Sequence, residues 1–337
     1  MMSGGGSAVG ALVLAALVSA TSCVAWMRFA MARHLVDVPG GRRVHTQVTP
    51  RGGGIGIALA MVIASAGFAL TQAGDAYPGW SACAGIALFA LIGFIDDLQP
   101  LPAAPKLTLQ FAAALAMVWP LQLFPTMPAV VVVAAATVAT VFMVNVWNFM
   151  DGSHGLVTVQ GLLIAIALAL LPGQIDGLRV LAAALAGACL GFLPFNFPQA
   201  RVFLGDVGSH ALAAAVLALL LLALHYRVIG AAQALLLSSV LLVDAGITLL
   251  RRAGAGRVLW QAHREHLYQF AVRRGRAPWQ VCLVYGAVCL VAIAIALIAG
   301  GQGTATQWVL AATWFIVLAV AHGLARAQLL RRRGVPA

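Results

Sequence analysis

The chain has 337 residues, of which 62% are hydrophobic and only 9% charged, with a mean hydropathy of +0.98. That balance excludes a soluble domain with a charged surface and reads as an integral membrane protein. The formal net charge of +11 does not point to nucleic acid, because the nineteen arginines and the single lysine sit mostly in short joints between apolar stretches.

A membrane-crossing helix needs about 20 mostly apolar residues. Eleven stretches qualify or nearly qualify, starting near Ala8, Gly54, Gly79, Leu107, Pro128, Leu156, Leu178, Val207, Val228, Trp279 and Thr306. The expected fold is therefore all-α, a polytopic membrane helix bundle of about eleven transmembrane helices forming a single domain over residues 1–337. The first stretch, "ALVLAALVSATSCVAW", is expected to stay as a span, since no basic region precedes it and no cleavage site follows. Joints after odd-numbered spans hold nearly all the basic residues, and those after even-numbered spans offer only Arg179 and Arg227. The positive-inside rule then sets the N-terminus outside and the C-terminus in the cytoplasm, with cytoplasmic loops at about 28–53, 96–106, 145–155, 195–206 and 251–278. All five cysteines fall inside expected spans with no C-x-x-C pair, so neither a disulfide framework nor a zinc site is implied.

Of the nine acidic residues, Asp37, Asp96, Asp97, Asp151, Asp206, Asp244 and Glu265 lie on or beside the expected inner joints, and only Asp75 and Asp176 face outward. The cost of an acid at mid-span explains why acids avoid spans, but not why they choose one side. Carboxylates delivered by several joints to one membrane face imply a shared site.

In "LIGFIDDLQPLPAAPKLTLQ", Asp96 and Asp97 point about 100° apart on a helix, so they should take different roles, and Lys106 is a point charge suited to phosphate. The plain alternative is a solvated helix end with an anchoring lysine. In "NVWNFMDGSHGL", Asn145, Asn148 and Asp151 recur every three residues on one helical stripe, and Gly152 ends it. Polar contact between helices would also explain the two amides. In "FNFPQARVFLGDVGSHA", Asn196 and Arg201 precede Asp206, which is flanked by glycines at the start of a helix. That setting suits phosphate and a Mg²⁺ ion that keeps most of its waters, although Asp206 and Ser209 could simply cap the helix. In "QAHREHLYQF", His263 and His266 stand one turn apart around Arg264, a pattern better suited to a phosphate or leaving group than to zinc. A basic helix lying on anionic lipid is the competing reading. Asp244 could orient this loop or pair with an arginine. In "DVPGGRRVHTQVTPRGGGIGI", Asp37, Arg42, Arg43, His45 and Arg51 lead into a triple glycine of the kind that cradles phosphate.

Taken in chain order, the pieces resemble the polyprenyl-phosphate N-acetylhexosamine-1-phosphate transferase family, of the glycosyltransferase 4 type, from about Asp37 to Gln269. The segments above resemble its first cytoplasmic loop, its paired-aspartate loop with lysine and glutamine, its N-x-x-N-x-x-D-G loop and its G-D-x-G-S loop. The resemblance implies that Asp206 binds Mg²⁺, for which Mn²⁺ can substitute, with Asp151 helping to hold it. It places Asp96 and Asp97 near the lipid phosphate, and Asn148, Asp151 and Asn196 in the nucleotide and metal pocket. His263 and His266 are the further catalytic candidates, and Arg51, Lys106, Asn145, Arg264 and His45 the further substrate-binding ones. The implied partners are undecaprenyl phosphate and a UDP-sugar at a bacterial inner membrane, with no nucleic acid; a homodimer is left open. Two departures stand out. His154 occupies the position of the family's second acid in D-G-x-D-G, and "HREHLYQ" resembles the branch that starts O-antigen chains and uses 6-deoxy sugars such as N-acetylfucosamine.

The chemistry expected is attack of the lipid phosphate on the β-phosphorus of the UDP-sugar with release of UMP. Asp96 or Asp97 would hold or deprotonate the acceptor, and Lys106, Arg51 and His263 would lie near the phosphates. A cation-coupled transporter is the alternative, but it should carry mid-span acids and paired broken spans, and only Asp244 approaches a span centre. An intramembrane aspartyl protease needs two facing aspartates, which sequence neighbours cannot supply.

Overall fold

The computed structural model describes residues 3–37, 48–72, 75–171, 175–258, 261 and 263–331. His45, Arg42 and Arg43 lie outside the described residues. The chain divides into two compact units, Met1–Val228 and Ile229–Ala337.

The first unit contains α1 (Ser3–Ala32), a short antiparallel pair β1 (Val36–Asp37) and β2 (Thr49–Pro50), and then α2 (Ile55–Thr71) and α3 (Tyr77–Leu98). These are followed by α4 (Ala103–Val118), α5 (Ala129–Met150), α6 (Leu156–Leu170), α7 (Asp176–Asn196) and α8 (Gly205–His225). The second unit has α9 (Ala231–Gly254), the seven-residue α10 (Leu267–Arg273), α11 (Pro278–Gly300) and α12 (Thr304–Arg331). Each of the eleven apolar stretches is helical, because a helix satisfies its backbone polar groups internally and hydrocarbon offers no other partner. Eight of them, α1, α3, α5, α7, α8, α9, α11 and α12, are long and apolar enough to cross a membrane, while α2, α4 and α6 are shorter at 17, 16 and 15 residues. This is a multi-pass membrane protein. Proline fixes several helix starts, with Pro78 and Pro278 in the first turn of α3 and α11, where a missing N–H costs nothing.

The centre of the first unit is α8, whose residues from Val207 to Ala223 are all buried. A helix that is apolar all round belongs in the middle of a bundle. Helices α3, α5, α2, α6 and α7 pack against it, and α1 runs along α7 and α2. Small residues set the spacing: Ala58, Ala90, Val207 and Ala211 form a tight cluster joining α2, α3 and α8, with Ile55 and Phe94 beside it. Helix α3 meets the start of α8 closely at Gly93, where an added Cβ would stand 2.1 Å from the Asp206 carbonyl oxygen.

This up-and-down packing collects one set of chain turns at one end of the bundle. The ends of α3, α5 and α7 and the starts of α4, α6 and α8 meet there, beside the residues that follow β2.

Candidate active site

Asp96 and Asp97, on the last turn of α3, take different partners, as their angular separation demands. Asp96 accepts from the Leu101 backbone N–H at 2.7 Å and from the Lys106 ammonium at 2.5 Å. Asp97 accepts from the backbone N–H of Val207, at the start of α8, at 2.9 Å. Lys106, on the first turn of α4, also reaches Asp206 at 3.3 Å, so one ammonium bridges acids from two helices.

Asp206 lies inside the first turn of α8, not at its cap, and the N-cap residue, Leu204, makes no side-chain cap; the Asp97 carboxylate takes that place on the Val207 N–H. Asn148 donates to its Oδ1 at 3.0 Å and to the Ser209 hydroxyl at 3.0 Å. Gly205 is left-handed with φ of +77°, and a Cβ there would meet Asp97 Oδ2 and the backbone of Gly52, each at 2.7 Å. Only glycine fits both constraints. The backbone of the triple-glycine segment completes this wall, with Gly53 and Gly54 N–H groups donating to the Phe203 and Leu204 carbonyls at 2.9 Å each.

Asp151 follows the last residue of α5. Burial drives its carboxyl well above the ordinary carboxylate range, and the charges of Asp206 and Asp97 push it the same way. Asp96, Asp97 and Asp151 thus each lie within electrostatic reach of Asp206, and Lys106 engages two of the four carboxylates, Asp96 and Asp206. Arg51, whose side chain is 45% exposed, pairs with Asp37 at 3.0 Å.

This surplus of negative charge is the observation against which Mg²⁺ can be tested. Among the described residues no three His, Cys, Asp or Glu side chains form a group that could hold a metal ion by themselves. Mg²⁺, however, is usually bound by one or two carboxylates, its own waters and substrate phosphates. Asp206 and Asp151, two oxygen donors of which Lys106 engages only the first, would suit that mode and not an all-protein cage.

Two of the expected binding residues are used within the protein. Asn196 accepts from the Gly155 N–H at 2.7 Å and donates to the Val202 carbonyl at 2.9 Å, tying the α5–α6 turn to the α7–α8 turn. Asn145 donates to Gln110 at 2.7 Å and to its own helix at Val141. His154 accepts weakly from the Ala200 N–H at 3.4 Å and packs near Phe203. A buried residue absent from the sequence candidates, His210, sits one turn beyond Asp206; a lone histidine in an apolar run carries no spacing signal that would have exposed it.

His263, Arg264 and His266 belong to the second unit. His266 is 2% exposed at the start of α10, and its ring lies 4.9 Å from that of His263 and stacks on Tyr268. Burial, opposed by Asp244 and aided by His263, holds the His266 imidazole down at about 4. Burial and then Arg252 lower His263 as well. Burial works to raise Glu265, but Arg252 and Arg257 outweigh it and hold the carboxyl below the usual range. Among the described residues no arginine forms an ion pair with Asp244. It accepts from Tyr285 at 2.6 Å, from the Leu267 N–H at 2.8 Å and from His322 at 3.1 Å, so it orients the start of α10.

Comparison with known proteins bears on this geometry. The sequence model of Glycosyl transferase family 4 matches residues 80–225, the stretch that carries Asp96, Lys106, Asn148, Asp151 and Asp206. The decaprenyl-phosphate N-acetylglucosaminephosphotransferase of Mycolicibacterium smegmatis is 33% identical over 316 residues, covering 80% of this chain and 77% of that protein. The protein of the same name from Mycobacterium leprae is 32% identical over 290 residues, 74% of this chain and 73% of its own length. The phospho-N-acetylmuramoyl-pentapeptide-transferase of Clostridioides difficile is 33% identical over 195 residues, 50% and 59% of the two chains.

Proposed function

The chain belongs to glycosyl transferase family 4, and from that premise we propose that it transfers a HexNAc-1-phosphate from a UDP-sugar to undecaprenyl phosphate at the cytoplasmic face of a bacterial inner membrane. The relatives' printed names describe transfer of a phosphorylated sugar, two of them to decaprenyl phosphate. The observation that carries the reading is the gathering of four carboxylates and one lysine against a glycine-walled helix start, at one end of an apolar bundle. A polyprenyl tail can lie along such a bundle while its phosphate sits among polar groups.

In the reaction, an oxygen of the lipid phosphate bonds to the β-phosphorus of the UDP-sugar. The bond from that phosphorus to the oxygen bridging the two phosphates breaks, and UMP leaves with the electron pair. Lys106 supplies positive charge to the phosphate oxygens, and Asp96, with an oxygen on Leu101 and the other on Lys106, fixes where that ammonium stands. Asp97 is the group suited to hold or take the acceptor's proton, since its carboxylate is anchored by the backbone of α8 and engages no ammonium. Asp206 and Asp151 would hold Mg²⁺, which when bound offsets charge on the diphosphate and organises it for in-line transfer. Asn148 keeps Asp206 aimed, and Asn196 ties together the two turns that carry Asp151 and Asp206.

"HREHLYQF" supports a 6-deoxy sugar such as N-acetylfucosamine and a role at the start of an O-antigen chain, whereas the mycobacterial relatives are named for N-acetylglucosamine. The test is to incubate the purified protein with undecaprenyl phosphate, Mg²⁺ and a panel of UDP-sugars, and to measure UMP. UDP-N-acetylfucosamine and UDP-N-acetylglucosamine in the same panel decide the sugar. Asp206→Asn should lower turnover about 10³-fold with the fold intact; full activity in that variant would remove the metal assignment. His263→Ala should also lose turnover, and unchanged kinetics would favour a lipid-surface role for that segment.

A further inference from the structure

The buried polar residues on α4, α5 and α8 form a chain whose direction is fixed by donor and acceptor count. Asn145 Nδ2 donates to Gln110 Oε1 at 2.7 Å. That contact orients the Gln110 amide, since its oxygen faces Asn145 and its nitrogen therefore faces His210, 3.0 Å from the imidazole Nε2. An amide nitrogen can only donate, so Nε2 of His210 must accept. The proton of the neutral ring then sits on Nδ1, which lies 2.8 Å from the backbone carbonyl oxygen of Asp206 and 3.5 Å from the Ser209 hydroxyl. Gln110 and His210 are both fully buried, so no water competes for these positions.

The same carbonyl is also closely approached by α3, where a Cβ added at Gly93 would stand 2.1 Å from it. Asn148, one turn along α5 from Asn145, holds the Asp206 carboxylate directly. Two amides on one stripe of α5 thus reach both ends of one aspartate, Asn148 at the side chain and Asn145 through Gln110 and His210 at the main chain.

We propose that His210 is a positioning residue for the transfer reaction, locked as the Nδ1–H tautomer by the Asn145–Gln110 pair so that it fixes the backbone at Asp206. It touches no substrate and acts only through Asp206. The kinetic part of the proposal rests on the transferase reading, while the tautomer part does not.

The spectroscopic test uses the full-length protein in detergent or nanodiscs, labelled with ¹⁵N-histidine, with the His210 signals assigned by their loss in His210→Asn. A protonated Nδ1 and an unprotonated Nε2 are expected, and converting Gln110→Leu should release that lock. An Nε2–H tautomer in the unmodified protein overturns the proposal whatever the protein's activity. The kinetic test compares His210→Phe, which removes both ring nitrogens, with His210→Asn, whose Nδ2 can still donate near the place of Nδ1. His210→Phe should lower kcat about 10- to 100-fold, in the range of other residues that orient a ligand's partner, with KM for the UDP-sugar little changed. His210→Asn should recover most of that loss, and adding Gln110→Leu to His210→Phe should cost little more, because the chain is already cut. Wild-type kcat in His210→Phe overturns the proposal. So does an equal loss in the Phe and Asn variants accompanied by a lowered Tm, which would mark simple packing. If the unmodified protein transfers no sugar phosphate from any donor, the transferase reading fails and the tautomer measurement alone decides.

Discussion

Two regions of this molecule hold aspartates in opposite ways. Asp244, in the second unit, is saturated: Tyr285, His322, the Leu267 N–H and, at longer range, the Tyr268 N–H and Thr248 hydroxyl all donate to it. Asp151, in the first unit, has two other acids as its electrostatic neighbours. A carboxylate surrounded by donors serves the fold, because its charge is neutralised by groups that order four helices. A carboxylate whose charged neighbours are other carboxylates is held in a state the fold alone does not favour. The lesson is that the count of donors around a buried acid separates architecture from chemistry better than burial does.

Substitutions can break that contrast, and the largest expected effect is on rate. Lys106→Met should lower kcat about 10²- to 10³-fold, as for other groups that stabilise developing charge, while Tm stays close to that of the unmodified protein; a fall of less than threefold would show that the ammonium serves only to quiet Asp96 and Asp206. Next comes Asp244→Asn, which leaves charge-assisted hydrogen bonds weakened in a buried setting and should cost about 3 kcal/mol of stability. Thermal unfolding reads this out, and an unshifted midpoint would mean the hub is dispensable. Asp151→Asn should do the reverse, raising stability by ~1 kcal/mol at pH 8 while activity falls. Because the folded protein raises this carboxyl's pKa, the cost of ionising it appears as pH rises, so the gain from Asn should be smaller at pH 5. A destabilised Asp151→Asn would contradict the strain argument.

The smallest effect concerns His266. Its folded value of about 4 lies below the ordinary 6.5, so the folded state binds fewer protons and stability is lost as pH falls from 6.5 towards 4. The drop in Tm between pH 7.5 and pH 5 should therefore shrink in His266→Gln. An identical drop in both proteins would place the acid sensitivity elsewhere.

Much of the acid cluster was legible in the sequence, because Asp96, Asp97, Asn148, Asp151 and Asp206 interrupt apolar runs in which any polar group needs a reason. The separate roles of Asp96 and Asp97 followed from helical geometry alone. Tertiary distance hid the rest. Nothing in the spacing of Asn145 shows that it faces Gln110, 35 positions earlier, or that Gln110 in turn meets His210, 100 positions later. The family resemblance places Asn196 in the nucleotide and metal pocket, and no sequence signal shows that its two polar ends hold the Gly155 N–H and the Val202 carbonyl. Helix lengths were also beyond reach: hydropathy marks that α2, α4 and α6 are apolar but not where their ends fray. Asp244 was open to two readings, and only the position of Leu267 decided between them.

Gly93 carries a consequence for how this protein can change. Its α-carbon faces the Asp206 carbonyl at a separation that admits hydrogen and no methyl group, so Gly93→Ala must displace either α3 or the start of α8. A loss-of-function screen should therefore return this position alongside the acids, although it offers no functional group at all. The main chain at Asp206 therefore has no freedom to drift towards α3, whatever side chains change around it.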